Sequence, residues 1–514
     1  MKKLLQKISL LLALLFLFSL PALAFDPISS GSRGDAVSAV QKRLNELGYE
    51  AGSVDGSYGG RTRDAVAKFQ QNNGLEATGV VDEETYELLF SLAAQANNAS
   101  GAADPDVARL QRLLDLLGYD VGEVNGSFNK ATVAALTAYQ EANGLRTGGQ
   151  DIAPALRKLE AEVAALCEGL LLVNNGDAEA LRWGYADPAG SIVIEPQFAW
   201  ASGTWGEGLA AVIYETGKCG YIDPTGAAAF STGYAAGGPF SEGVALVSKE
   251  EHRGYIDMKG GFIVPLSENK TDARMYTVFS EGRARAGDKL VDKYGNSLTL
   301  PLSFQDVGSM MVSGVVEAFH EGLMCLRTVT DAGRKCGYVD ASGQTAIAFS
   351  YDDAGSFSEG LAVAAQAEDG GALRYGYIDN TGAFIVRPLY DQAGTFREGV
   401  GVVRSAKNGW GFVDEKGAFT AAAADWDSVV GDGFHEGLLA VMKDGEIGFV
   451  DTAGELRIPF GFADPSACTP SGDRALESDR LYAFKGGVCL VIGADQELFY
   501  IDAAGETLFS AGIY

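Results

Sequence analysis

The chain has 514 residues, a formal net charge of −28, 47% hydrophobic residues and 10% aromatic ones. That apolar share excludes a mostly disordered protein, and the length points to about three or four domains. So acidic a surface repels phosphate backbones and anionic lipid, which argues against nucleic acid and membrane surfaces as partners.

At the start of the chain, Lys2, Lys3 and Lys7 precede an almost wholly apolar run from Leu10 to Leu20. Ala22-Leu23-Ala24 then supplies small residues at the two positions a signal peptidase reads. This layout predicts a secretory signal over residues 1–24, cleaved after Ala24. The run is short of the ~20 residues a spanning helix needs. Removing its three lysines takes the formal charge from −28 to −31.

Residues 25 to about 160 contain a duplication at an offset of seventy. Gln41, Leu44, Leu47, Gly48, Tyr49, Gly52, Gly56 and Ser57 recur as Gln111, Leu114, Leu117, Gly118, Tyr119, Gly122, Gly126 and Ser127. Val37, Val40, Leu44 and Leu47 follow helical spacing, and Gly48 stops the helix. Ala65, Val66 and Phe69 mark a second helix ended by Gly74, and Asp82-Glu83-Glu84 opens a third. Between the first two lies a glycine-rich loop, VDGSYGGRT in one copy and VNGSFNKAT in the other.

These residues resemble the peptidoglycan-binding-domain family, a small three-helix bundle. The first copy matches its pattern through TGVVDEETYELL. The second departs after Leu145, where GGQDIAPALRKL lacks the closing Asp and Thr. The resemblance implies peptidoglycan contact at the inter-helix loop, by Asp55, Tyr58, Arg61 and Thr62, with Asn125, Phe128 and Thr132 as weaker counterparts. There Tyr58 would stack on a sugar and Arg61 would pair with a stem-peptide carboxylate. The competing structural reading makes Asp55-Gly56 a turn, Tyr58 a lid on the core and Thr62 a helix cap.

From about residue 167 a second repeat takes over. One hallmark is an aromatic residue followed by x-E-G, as in WGEGLA at Trp205, FSEGVA at Phe240 and FSEGLA at Phe357. A cryptic first copy is CEGLLL at Cys167, and a degenerate last one is FKGGVC at Phe484. Its partner is G-Y/F-x-D-x-x-G, with Asp187, Asp223, Asp257, Asp292, Asp340, Asp379, Asp414, Asp451 and Asp502. The spacing from Gly169 to Gly487 gives nine units of about 40 residues. Each unit predicts three antiparallel strands with room for a short fourth. In the turn, Asp accepts backbone N–H bonds and Gly supplies positive φ. With Trp-Gly pairs in RWGY and GWGF, this array resembles the WG-repeat family.

The expected fold is therefore multidomain: two small three-helix bundles, then an all-β repeat domain. A β-propeller is the favoured shape and an open β superhelix the alternative. The expected boundaries are 1–24 for the signal, 25–95 and 96–162 for the helical modules, and 163–514 for the repeats.

The recurring Glu168, Glu207, Glu242, Glu281, Glu321, Glu359, Glu398 and Glu436 sit once per repeat, as structural residues bonding turn amides do. Only three histidines occur, and neither H-E-x-x-H nor G-x-S-x-G is present. Of six cysteines, Cys325 and Cys336 flank one predicted hairpin and form the best candidate disulfide. Cys219 and Cys336 sit at matching places in different repeats. The resulting expectation is a secreted, non-enzymatic protein of the cell wall, without cofactors, calcium at the Asp turns being left open. Peptidoglycan is its expected partner, with another envelope protein or glycan on the repeats. A carboxylate-based glycan hydrolase and an envelope or spore assembly protein are the alternatives.

Overall fold

The computed structural model describes residues 25–90 apart from 48, 50 and 74, then 104–147, 152–267 apart from 251, and 276–300. It continues over 318–467, apart from 331, 332, 369 and 370, and over 481–514. The predicted signal, the helix stops Gly48 and Gly74, and Cys468 lie outside these residues. The chain divides into two compact units, Met1–Asn97 and Asn98–Tyr514.

The first unit holds helices α1 (Asp35–Glu46), α2 (Gly60–Asn72) and α3 (Glu83–Leu89). Val37, Val40, Leu44, Val66, Phe69 and Leu89 form its core. Asp82 caps α3, its carboxylate accepting the Thr85 N–H at 2.8 Å. A bridge between Ile28 and Val81 ties the leading segment to the start of that helix.

The second unit begins with α4 (Pro105–Leu116), α5 (Lys130–Ala142) and α6 (Ala153–Glu168), each starting seventy residues after its counterpart. The third helix thus forms although its sequence pattern has gone. Leu156, Leu159 and Val163 bury its inner face, so packing replaces the missing cap motif.

Nine antiparallel sheets follow, spanning 171–198, 200–231, 236–264, 284–299, 323–351, 353–390, 392–421, 428–463 and 488–513. They are the blades of a nine-bladed β-propeller. Blade 6 shows the full pattern: Asp353–Ala354, Ala362–Ala367, Leu373–Ile378 and Phe384–Tyr390, paired in that order. In every blade the Asp of D-x-x-G accepts two N–H bonds, as Asp379 does from Thr381 and Ala383 at 2.9 and 3.0 Å.

The glycine ahead of the tyrosine has a steric cause. The outer strand bulges where it crosses this position, between the pairs Tyr375–Tyr390 and Tyr377–Val386. A Cβ on Gly376 would stand 2.2 Å from the Val386 carbonyl oxygen, and one on Gly184 would stand 2.3 Å from that of Ile194. No side chain fits there.

Two devices join successive blades. Tyr185, Tyr221, Tyr255, Tyr338 and Tyr377 each donate a hydroxyl proton to a carbonyl of the next blade at 2.7–2.9 Å. The second device is the recurring glutamate. Glu207, Glu242, Glu281, Glu321, Glu359, Glu398 and Glu436 all adopt φ between 51° and 56°, each followed by a glycine at positive φ. The pair forms a two-residue hairpin turn, with Ser241 and Val244 exchanging both backbone bonds in blade 3. Each carboxylate then accepts the turn N–H groups of the following blade, as Glu359 does from Glu398 and Gly399, both at 2.8 Å.

The ring closes without a shared sheet. Tyr500 of blade 9 donates to the Leu172 carbonyl of blade 1 at 3.3 Å. Asn174 donates to the Ile513 carbonyl at 2.8 Å and accepts from its N–H at 3.1 Å. One hydrophobic cluster runs through blades 8, 9, 1 and 2. Closure decides for the propeller over the open superhelix.

Candidate functional sites

In the first module the inter-helix loop is organised by Gln41, which is 2% exposed. Its amide NH₂ donates to Asp55 Oδ1, the Ser57 carbonyl and Thr62 Oγ1 at 3.0–3.1 Å. Its oxygen accepts the N–H groups of Asp55 and Gly56 at 3.1 and 3.0 Å. The Asp55 carboxyl is held below its ordinary pKa by the Gln41 and Ser57 hydrogen bonds.

Two expected contacts are placed differently from the ligand reading. Tyr58 is only 3% exposed and its hydroxyl donates to the Gly79 carbonyl at 3.0 Å, so neither ring face is open to a sugar. Thr62 is also buried, and its hydroxyl accepts a hydrogen bond from the Gln41 amide and donates one to the Ala51 carbonyl. Asp55 and Arg61 remain exposed, beside Val54, which is 52% exposed. A Cβ at Gly59 or Gly60 would meet nothing within 4 Å, so the approach to α2 is open within this module.

Gln111 repeats the hub in the second module, bonding Asn125, Ser127 and the buried Thr132 at 2.8–3.3 Å. Phe128 is half-buried. This loop faces the propeller, where Lys259 donates to the Asn125 carbonyl at 3.2 Å. Helix α4 lies on the ring: Asp106 pairs with Lys293 and accepts from the Tyr294 hydroxyl, and Arg109 pairs with Glu207 and Glu160. Ala108 joins the hydrophobic cluster of blades 2 and 3, and Leu116 and Val163 leave no room for a Cβ on Gly208. Burial raises Glu207 to about 7 and Asp104, the N-cap of α4, to about 6.

Between α6 and the ring lies a cavity of about 500 Å³. Arg109, Glu160 and Glu168 line its helical side. Turns and strands of blades 8, 9, 1, 2 and 3 supply the rest.

The family described as "Putative peptidoglycan binding domain" matches residues 33–89 and 103–150. The family described as "WG containing repeat" matches 183–218, 337–366, 375–408 and 410–446. The chain carries two peptidoglycan-binding modules followed by WG repeats. The match to the second module stops short of α6, where the sequence pattern also ends.

Among relatives, "N-acetylmuramoyl-L-alanine amidase CwlM" of Mycobacterium tuberculosis is 37% identical over 67 residues, 13% of this chain and 16% of that protein. "Spore cortex-lytic enzyme" of Bacillus subtilis is 42% identical over 64 residues, 12% of this chain and 21% of that protein. The chain thus spans less than a quarter of either relative, and the likeness includes no catalytic domain. Among solved structures, AztD from Citrobacter koseri gives a TM-score of 0.33 at 10% identity, covering 67% of this chain and 95% of that one. The peptidoglycan-binding modules and these wall-lytic relatives support peptidoglycan binding and association with the cell wall.

In the WG ring, the recurring glutamates are latches, and the carboxylates of the Asp turns are taken up by amides. Glu168, read as the first member of the series, instead ends α6. No group of three or more His, Cys, Asp or Glu among the described residues could hold a metal ion. His435 sits between Asp432, at 2.8 Å, and Arg397 of the preceding blade, a structural cluster between two turns. Cys325 and Cys336 are buried thiols in hydrogen-bond contact on adjacent strands, not joined by a disulfide. The Cys325 hydrogen bond and the Arg327 guanidinium, 3.3 Å from Cys336 Sγ, lower Cys336 to about 7. Cys219 lies in a different hydrophobic cluster from Cys336.

Proposed function

We propose that this is an exported, non-enzymatic binding protein of the cell wall. In this reading module 1 holds peptidoglycan, and the WG ring presents a surface to an envelope protein or glycan. The observation that carries it is the contrast between two homologous loops. In module 1 Asp55 and Arg61 stay exposed around a rigid Gln41 hub, whereas the module 2 loop is engaged by Lys259. Arg61 is the residue we assign to a stem-peptide carboxylate, with Asp55 as its neighbour on the same loop. Domain limits at 25–95, 96–162 and 163–514 belong to this reading, with the last boundary moved past α6, which runs to Glu168.

The non-enzymatic reading is supported by how the carboxylates are used. Glu207, with its raised pKa, resembles a general acid in isolation. Its carboxylate is committed to Arg109 and to the Gly243 N–H at 2.8 Å, so it is not free for proton transfer. The assembly reading gains one observation: module 2 shows that this bundle can dock on protein.

The test is co-sedimentation of the full mature chain with purified sacculi, with and without a chelator. Wild type pellets in both conditions, and Arg61→Glu lowers the bound fraction at least fivefold. Equal pelleting of the variant removes Arg61 from the site, and no pelleting of wild type removes the wall-binding reading.

A further inference from the structure

The 500 Å³ cavity lies where the repeat symmetry breaks. Seven blade junctions carry a glutamate latch, running from Glu207 onto Gly243 round to Glu436 onto Gly486 and Gly487. Blade 9 has Gly486 where the latch residue would stand, and the corresponding Glu168 belongs to a helix. The interior beside the closing seam is therefore not filled by the device used elsewhere, and its charged groups are not consumed by it. Arg109 is ion-paired with Glu160 and Glu207, and Glu242 is given to Gly282. That leaves Lys485 and Glu168, exposed side chains of opposite sign whose charged groups make no ion pair or hydrogen bond among the described residues. Both act electrostatically on the Cys167 thiol, which burial pushes up to about 12, so the thiol stays neutral between them. Phe240, Phe484, Val488 and Leu490 supply an apolar part of the remaining wall.

We propose that this cavity binds a short zwitterionic peptide, its carboxylate on Lys485 and its ammonium on Glu168. Resting on the wall-binding reading, the peptide is the stem peptide of peptidoglycan. The volume lies within the range of small-ligand sites. A neutral glycan filling the same space could offer hydrogen bonds to both groups but no opposite charge to either. A peptide answers both and places an aliphatic side chain against the phenylalanines.

The experiment is calorimetric titration of the full mature chain, and of its Arg61→Glu variant to subtract module 1, with a synthetic stem tetrapeptide containing a diamino acid. The peptide-free N-acetylated disaccharide serves as the second probe. Saturable binding of the tetrapeptide is expected, weakened at least tenfold by Lys485→Glu and by Glu168→Lys, with the disaccharide inert. Both variants are exposed charge changes, and an unchanged melting profile verifies folding. Binding of the disaccharide alone, no binding of the tetrapeptide, or affinity unchanged in both variants overturns the proposal. The variants leave the module 1 loop intact, so sacculus pelleting should persist in them. If wild type binds the tetrapeptide but does not pellet, the wall reading fails and the peptide site stands.

Discussion

Replacing Glu359 separates what its carboxylate contributes from what its backbone costs. The two bonds to Glu398 and Gly399, both 2.8 Å, are charge-assisted, a class worth about 1.5–3 kcal/mol each when buried. Glu359 is exposed, and competition from water reduces the pair to about 1–2 kcal/mol in total. Against this, a glutamate at φ 53° stores about 1 kcal/mol relative to glycine. Glu359→Ala loses the bonds and keeps the strain, so it costs about 1–2 kcal/mol. Glu359→Gly loses the bonds and relieves the strain, so it costs about 1 kcal/mol less than the alanine variant. Amide hydrogen exchange at Glu398 and Gly399 reads the latch locally, and protection there should fall about 5- to 30-fold in both variants. Unfolding midpoints should rank wild type, then Gly, then Ala. Unchanged protection at those amides, or a glycine variant less stable than the alanine one, would refute the inter-blade latch.

Three further outcomes follow from the same geometry. Asp104 and Glu207 are raised by burial to about 6 and about 7, so between pH 4.5 and 7 the folded chain holds protons the unfolded chain has released. Stability should therefore fall as pH rises through that window, by about 1.4 kcal/mol from Asp104 between pH 5.0 and 7.5, and urea midpoints at those two values measure it. Asp104→Asn keeps the helix cap and should flatten that share of the slope; an unaltered slope counts against it. At the ring seam, Asn174→Ala removes both bonds to Ile513 and should lower the unfolding midpoint more than Tyr500→Phe, whose bond is longer, at 3.3 Å. Under an oxidised thiol–disulfide buffer, Cys325 and Cys336 should lose two protons and two electrons to the buffer disulfide and form their own bridge. Intact mass about 2 Da lower, absent in Cys336→Ser, verifies the pairing.

The repeats were legible because their signals are local. An Asp, a Gly three residues on and flanking alternation define a turn within one strand pair, and all nine turns form. The seventy-residue offset likewise placed each helix of module 2, including α6, which has lost its motif and is held by packing against α4. The function of the glutamates was only half legible. Their recurrence showed a shared structural job, but the amides they bond lie 36 to 51 residues away in the next blade, which no local pattern displays. Tyr58 was ambiguous for a related reason. An aromatic in a glycine-rich loop serves equally as platform or as lid, and the Gly79 carbonyl that decides between them comes from beyond α2. Gln41 and Gln111 were visible as recurring residues, yet their role emerges only when loop and helix are brought together. The docking of α4 on the ring rests on single charged residues, Asp106 and Arg109, that do not recur in module 1.

The central claim is that the first compact unit holds the wall on its own through the module 1 loop, whatever stem peptide the cavity of the second unit also takes up. Co-sedimentation of residues 25–97 and of residues 98–514, prepared separately, with purified sacculi tests it most directly. Pelleting of 25–97 by itself is the predicted result, and any pelleting of 98–514 is what the stem-peptide site of its cavity adds. Pelleting of 98–514 while 25–97 stays in solution would contradict it.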